Sequence, residues 1–411
     1  MRQLVWGRAV SALGDGLWYT IWAIYVSRVV GLSATAVGAG MAVAAGAGLA
    51  AAVPLGALAD RADPRWVLVV ATSVRALAMV GYLLVRGPLA FVLVSTVFVG
   101  LSNGSSAVRT ALVAGLVREN AARVRALAQQ RVAQHVGYAV GAGAGALVLS
   151  AGRPGAYSLA IAANAASFAV LAVATATVPA PTPVRAPRAA GPEWTARAAL
   201  TDRPYLAVVA VTAVLSLCWA MMSTGLPLWI SRGTRLPLAL SGAVVVISSA
   251  GIAALQVPIS RLARTAPRAA RTAVWSGTAL AGSCVLLAST AGGSGTVAVG
   301  VVLAAALLHV AGELGYVAAS WGLSISLMRE EARGAYQGVS EAATATVQVV
   351  GPAVFTAALG GFGAGGWLLV AALFAAAATP VPALTRRALR TRERSVAARA
   401  TPAGAILARP R

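Results

Sequence analysis

The chain has 411 residues, 59% of them apolar and 11% charged, with a mean hydropathy of +0.79. A soluble domain carries roughly 25% charged residues in its solvated skin, so a soluble globular fold is excluded and most of this surface faces lipid. The formal charge of +22 comes from 33 basic residues, all Arg, against 11 acids; nucleic acid is one reading of such an excess, and its distribution along the chain speaks against it.

Apolar runs broken by Gly, Pro and Arg clusters predict helices over 6–27, 35–58, 66–85, 89–115, 131–151, 156–178, 205–230, 238–260, 272–291, 297–327, 334–359 and 365–385. Each is near the roughly 20 residues that cross a hydrocarbon core. The runs 89–115 and 297–327 exceed a straight span and predict tilt or extension beyond the bilayer. The first apolar run continues from Trp6 to about Val30, which suits a retained span rather than a cleaved signal peptide. Cys218 and Cys284 lie inside apolar runs, so no disulfide framework is indicated.

With the N-terminus inside, the cytoplasmic segments hold 26 Arg, Arg8 and Arg131 among them, and the external loops hold five: Arg28, Arg86, Arg153, Arg232 and Arg235. Arg75 and Arg109 fall within spans. That bias places both termini in the cytoplasm and requires an even number of spans. It accounts for the net charge without nucleic acid, with anionic inner-leaflet lipids as the counter-surface.

Residues 1–178 are read as a first six-helix half and 205–385 as a second. Between them, 179–204 is a cytoplasmic linker whose Pro and Arg content favours an extended, mobile chain. Residues 386–411 form a basic cytoplasmic tail, expected on the membrane surface or disordered. The halves echo each other. VPLGALADRADPR from Val53 to Arg65 matches VPISRLARTAPR from Val257 to Arg268 with one deletion, opposite Asp63. VRENAAR at 117–123 matches MREEAR at 328–333, and a Gly lies 18 residues beyond the closing Arg in both, at Gly141 and Gly351. The fold class is therefore an all-α integral membrane protein of about twelve transmembrane helices in two pseudo-symmetric six-helix halves. In such plans the substrate site lies between the halves near the bilayer midplane.

Gly56-Ala-Leu58-Ala-Asp60-Arg61-Ala-Asp63-Pro-Arg65 resembles the signature loop between spans two and three of the major facilitator superfamily, with Asp63 in place of the usual second Gly and Pro64 in place of one usual Arg. RAVSALGDGLW from Arg8 to Trp18 and GELGYVAASWGL from Gly312 to Leu323 resemble its drug-exporter-like members. Gly137, Gly141 and Gly145 resemble the Gly-rich motif of antiporter members, without its usual Pro, while Gly351-Pro352 retains one. From the residues alone, that ladder is close helix packing through small faces. The resemblance implies the major facilitator fold, with spans one, four, seven and ten lining a central cavity. It also implies that Asp60 caps a helix of the other half near Arg333–Ala335, as an access-state latch beside Gly56, with Arg61 and Arg65 holding the loop through charge pairs. A carboxylate suits that place, where unpaired N–H groups and the positive dipole end meet. The plain alternative is a topogenic turn.

Ionisable residues within spans demand a reason. Asp15 lies nine residues beyond Trp6, roughly 14 Å deep at 1.5 Å per residue. It is expected to face Arg109 on span four. A partner cation favours the charged carboxylate and an apolar setting the neutral one; balanced between them, Asp15 would exchange a proton. Alternatively the pair is fixed and structural. Glu313 on span ten, with His309 one turn earlier on the same face, is the second proton-coupling candidate. Two such ligands do not make a metal site. Glu341 is read as a gate residue and Arg75 as a structural anchor. An aromatic, apolar cavity is expected from Trp18, Tyr19, Trp22, Trp219, Met222 and Tyr316; the alternative for Trp and Tyr is interface anchoring.

No nucleotide-binding loop, nucleophile elbow or zinc motif is present in the sequence, so an enzyme, a cofactor and ATP are not expected. The resulting expectation is a monomeric secondary transporter of the cell inner membrane, exchanging protons for a small amphipathic or lipophilic molecule and contributing to drug efflux and resistance. Its partners would be substrate, protons and membrane lipids. Proton-coupled uptake of a small polar metabolite, or a non-transporting membrane sensor, are the alternatives.

Overall fold

The structure, a computed structural model, describes residues 1–180 and 194–400. The described residues form helices and connecting turns, with no strand. In chain order these are α1 Arg2–Ile24, α2 Ala34–Arg61, α3 Pro64–Gly81, α4 Pro88–Leu116, α5 Asn120–Ala151, α6 Pro154–Ala176, α7 Trp194–Thr201 and α8 Arg203–Val214. There follow α9 Leu217–Ala220, α10 Leu226–Gly233, α11 Ala239–Ile259, α12 Ala266–Ala288, α13 Gly295–Leu327, α14 Arg333–Phe362, α15 Ala364–Ala378 and α16 Val381–Ala400. A π-helical turn, Met221–Gly225, joins α9 to α10, so α8, α9 and α10 form one broken span. Likewise α15 and α16 form the last.

Ten of these spans are long and apolar enough to cross a membrane. The other two are α1, which carries Arg2, Arg8 and Asp15, and α12, which opens on Arg268 and Arg271. Together they make the twelve transmembrane helices of two pseudo-symmetric halves. Local signals punctuate them. Pro64, Pro88, Pro154, Pro204 and Pro267 sit in first turns, where the missing N–H is no loss. Asp63 caps α3 by accepting from the Arg65 N–H at 2.9 Å.

Three segments depart from expectation. The α5 helix begins at Asn120 rather than near 131, so Arg123, Gln130 and Arg131 lie on a helix, not in a loop. Of the linker expected over 179–204, residues 181–193 lie outside the described residues, but 194–201 is helical. It buries Thr195, Ala198 and Ala199 and touches α2 and α14. The expected tail is also helical as far as Ala400, where Arg392 donates to the Met328 carbonyl at 2.6 Å; residues 401–411 lie outside the described residues.

The glycine ladder brings α5 onto α1. A Cβ added at Gly137 would strike Ala9 and Ala12, one at Gly141 would strike Leu13 and Leu17, and one at Gly145 would strike Thr20. In the second half, Gly351 meets Ala220 of α9. The echo seen in sequence is thus the same helix contact, made in each half.

Candidate functional site

A cavity of about 330 Å³ lies between the halves. Arg8, Asp15 and Tyr19 enter it from one face of α1, spaced by two turns and then one. Arg75 comes from α3, Ser106 and Arg109 from α4, and Gln130, Gln134 and Tyr138 from successive turns of α5. The second half supplies Trp219 of α9, Tyr316 and Trp321 of α13, and Gln337, Glu341 and Gln348 of α14. The lining is rich in guanidinium, amide and hydroxyl groups, whereas the sequence suggested an apolar one.

Asp15 does not pair with Arg109. Its carboxylate sits 3.7 Å from Arg8 and 3.6 Å from Arg75. Arg8 shares its helix face two turns away. Arg75 is held with its guanidinium 4.9 Å from the Phe98 ring centroid and 4.3 Å from that of Phe168. The pairing is loose, and Asp15 Oδ1 accepts no hydrogen bond among the described residues. Arg75 is therefore part of the charged cluster as well as an anchor. Arg109 instead donates to Ser106 Oγ at 3.1 Å, and Ser106 donates to Glu341 Oε1 at 2.9 Å. This chain crosses from α4 to α14 and puts Glu341 in the cavity.

Glu313 likewise finds its partner across the seam. Arg131 of α5 donates to its Oε1, which also accepts from the Trp219 indole at 2.9 Å. His309 turns away, its Nε2 lying 2.8 Å from the Cys218 carbonyl oxygen. Sequence reading missed Arg131 because it counted that residue among the loop charges. The usable signal was the polar row Gln130, Gln134 and Tyr138 at helical spacing, with Arg131 beside it.

Of the expected cavity aromatics, Tyr19, Trp219 and Tyr316 line it. Tyr19 meets Tyr138 edge-on at 6.0 Å, and Trp219 meets Tyr316 at 5.6 Å. Trp18 and Trp22 do not line the cavity. Trp18 is buried in the first half with its ring 4.7 Å from that of Tyr82, and Trp22 packs on the same apolar cluster. Met222 packs on the apolar core of the second half. Helix rotation explains these misses: Trp18 and Tyr19 are neighbours in sequence but point about 100° apart.

One end of the cavity is sealed. Asp60 accepts from the N–H of Gly334 at 2.6 Å and of Ala335 at 2.9 Å, at the first turn of α14. Gly56, one turn earlier, touches Gly334 backbone to backbone, and any Cβ there would collide. Arg65 pairs with Asp63 at 3.2 Å and donates to the Val178 carbonyl at 3.0 Å, whereas Arg61 is exposed and forms no ion pair among the described residues. Arg333 lies 3.8 Å from Glu330, and Arg123 holds Glu330 with two hydrogen bonds of 2.6 and 3.2 Å. Toward the other end no such contact is made at the matching position of α2 among the described residues. Gly38 shares the face of Gly56 five turns away, about 27 Å along the axis, and a Cβ added there would meet nothing within 4 Å.

A sequence profile described as Major Facilitator Superfamily matches residues 4–352. No curated protein sequence matches significantly. Among solved structures, the fold is similar to that of a bacterial homologue of the iron transporter ferroportin in an outward-facing state. That likeness has TM-score 0.73 at 14% identity and covers 95% of this chain and 99% of that one. It is also similar to a human organic anion transporter (TM-score 0.68, 15% identity, 92% and 98% covered). A third is the E. coli fucose:proton symporter (TM-score 0.66, 12% identity, 94% and 98% covered).

Proposed function

The chain belongs to the Major Facilitator Superfamily and is a multi-pass membrane protein and secondary transporter, and from that premise we propose that it carries a small polar or amphipathic solute by alternating access with protons as the coupling ion. The observation that carries this reading is the polar, charged cavity between the halves, sealed by Asp60 at one end. With both termini in the cytoplasm of a cell whose inner membrane holds the chain, the sealed end is cytoplasmic and the state outward-open. Asp60 and Gly56 then act as the latch of that state.

The Arg- and Gln-rich lining supports a polar solute over a lipophilic drug, because desolvated guanidinium and amide groups need partners that a hydrocarbon lacks. The aromatic walls of Tyr19, Trp219 and Tyr316 suit a solute with a flat portion. Export by proton exchange, as the exporter-like motifs imply, is the second reading. Asp15, Glu313 and Glu341 are the proton-carrying candidates.

The test is flux in reconstituted vesicles under imposed proton gradients. Solute moving with the protons supports cotransport, and solute moving against them supports exchange. Asp15→Asn is expected to abolish gradient-driven accumulation while leaving exchange of solute for solute. Flux of every tested solute that ignores the gradient in the unaltered protein would overturn proton coupling.

A further inference from the structure

Four guanidinium groups, those of Arg8, Arg75, Arg109 and Arg131, line the cavity. Three of them hold carboxylates directly: Arg8 and Arg75 share Asp15, and Arg131 holds Glu313. Arg109 is the exception among the described residues, reaching Glu341 only through the Ser106 hydroxyl. Arg109 is thus the guanidinium of the four that touches no carboxylate directly, and it keeps donors for an incoming one. A second observation points the same way. Gln130 lines the cavity at 4% exposure, and among the described residues neither its amide nitrogen nor its amide oxygen has a hydrogen-bond partner. In a cavity wall, both ends of that amide are open to an incoming ligand.

We infer that the cavity takes a small organic monoanion, its carboxylate bound by Arg109 and Gln130, and that this anion displaces Glu341 from Arg109 so that Glu341 takes up a proton. This deepens the transport reading above and rests on it. The charged and titratable groups around Glu341 are Arg109 on α4, Tyr316 on α13 and Tyr205 on α8. Among these, Arg109 is the cation. When an incoming carboxylate occupies its free N–H groups, Glu341 is left beside a second negative charge, which favours its neutral form. Anion and proton then bind together, so binding strengthens as pH falls. The flat portion of the anion lies between Tyr138 and Trp219, one on each half.

The test is calorimetric titration of the purified full chain with benzoate, 4-hydroxybenzoate and phenylacetate, each beside its amide and its amine. Two buffers of different ionisation enthalpy count the protons taken up. The expected result is carboxylate binding tighter than amide by roughly tenfold or more, the scale of one charge-assisted hydrogen bond, with proton uptake. Arg109→Gln is expected to remove that preference. Glu341→Gln keeps the fold's polar contacts and is expected to tighten carboxylate binding about fivefold or more while abolishing proton uptake. Amides or amines binding as well as carboxylates, or no carboxylate binding at all, would overturn the anion site. Proton uptake unchanged in Glu341→Gln would overturn the role of Glu341. Carboxylate binding without vesicle flux would instead overturn the transport reading and leave the site standing.

Discussion

Position for position, the α2–α3 turn carries Gly56 and Asp60 where the α11–α12 turn carries Ser260 and Arg264. The first keeps its α-helix to Arg61, presses Gly56 on Gly334 and places a carboxylate on two N–H groups of α14. The second breaks at Ile259 into a 3₁₀ turn, Ser260–Ala263, and leaves Arg264 exposed. An Arg cannot accept from helix N–H groups, and the positive dipole end repels it. The repeat therefore builds both turns, while the contact with α14 depends on two residues that break the repeat. On the proposed reading, a seal placed on one side of the pseudo-axis has a single release point.

The comparison breaks most readily at Gly56. Gly56→Leu wedges α2 away from α14, where no side chain fits. Overpacking of about 1–3 kcal/mol or more is expected to make the unsealed form dominant. Spin labels on Ala62→Cys and Glu331→Cys would then report mainly the longer distance by pulsed dipolar spectroscopy. Asp60→Asn comes next, because it removes a charge-assisted contact worth about 1.5–3 kcal/mol. The same labels should shift toward the open distance by roughly tenfold or more; an unchanged distribution would return the α2–α3 turn to a purely topogenic role. Glu330→Gln weakens a pair whose acid is 43% exposed, so a shift of under about 1 kcal/mol is expected, smaller still at high salt. Arg264→Asp is expected to change the distances least, within about 0.5 kcal/mol, as an exposed substitution does. If it matched Asp60→Asn, the two turns would be equivalent and the comparison would fail.

The spans were legible because a lipid-facing helix must be apolar over about 20 residues. The start of α5 was not. Its first residues, Asn120 to Gln130, are polar and charged enough to read as loop when helical spacing is ignored. The Asp60 contact was visible because it belongs to a short local motif. The partners of Asp15 were hidden because tertiary packing selects them: Arg75 arrives only once α3 settles between Phe98 of α4 and Phe168 of α6. Arg8 and Arg131 were obscured by being tallied as topology signals, a role that says nothing about depth.

Arg8, Asp15 and Arg75 all belong to the first half, whereas Glu313 answers to Arg131, and Glu341 to Ser106, across the seam. If the halves swing as units, Asp15 keeps its escort through the whole cycle, and its state can change only through access to water. Glu313 and Glu341 are parted from theirs whenever the seam reopens at their level. On that premise the Asp15 charge pairing is permanent, the Glu313–Arg131 pair and the Glu341–Ser106 hydrogen bond are revocable, and whatever settles the latter two must come from the compartment then facing the cavity.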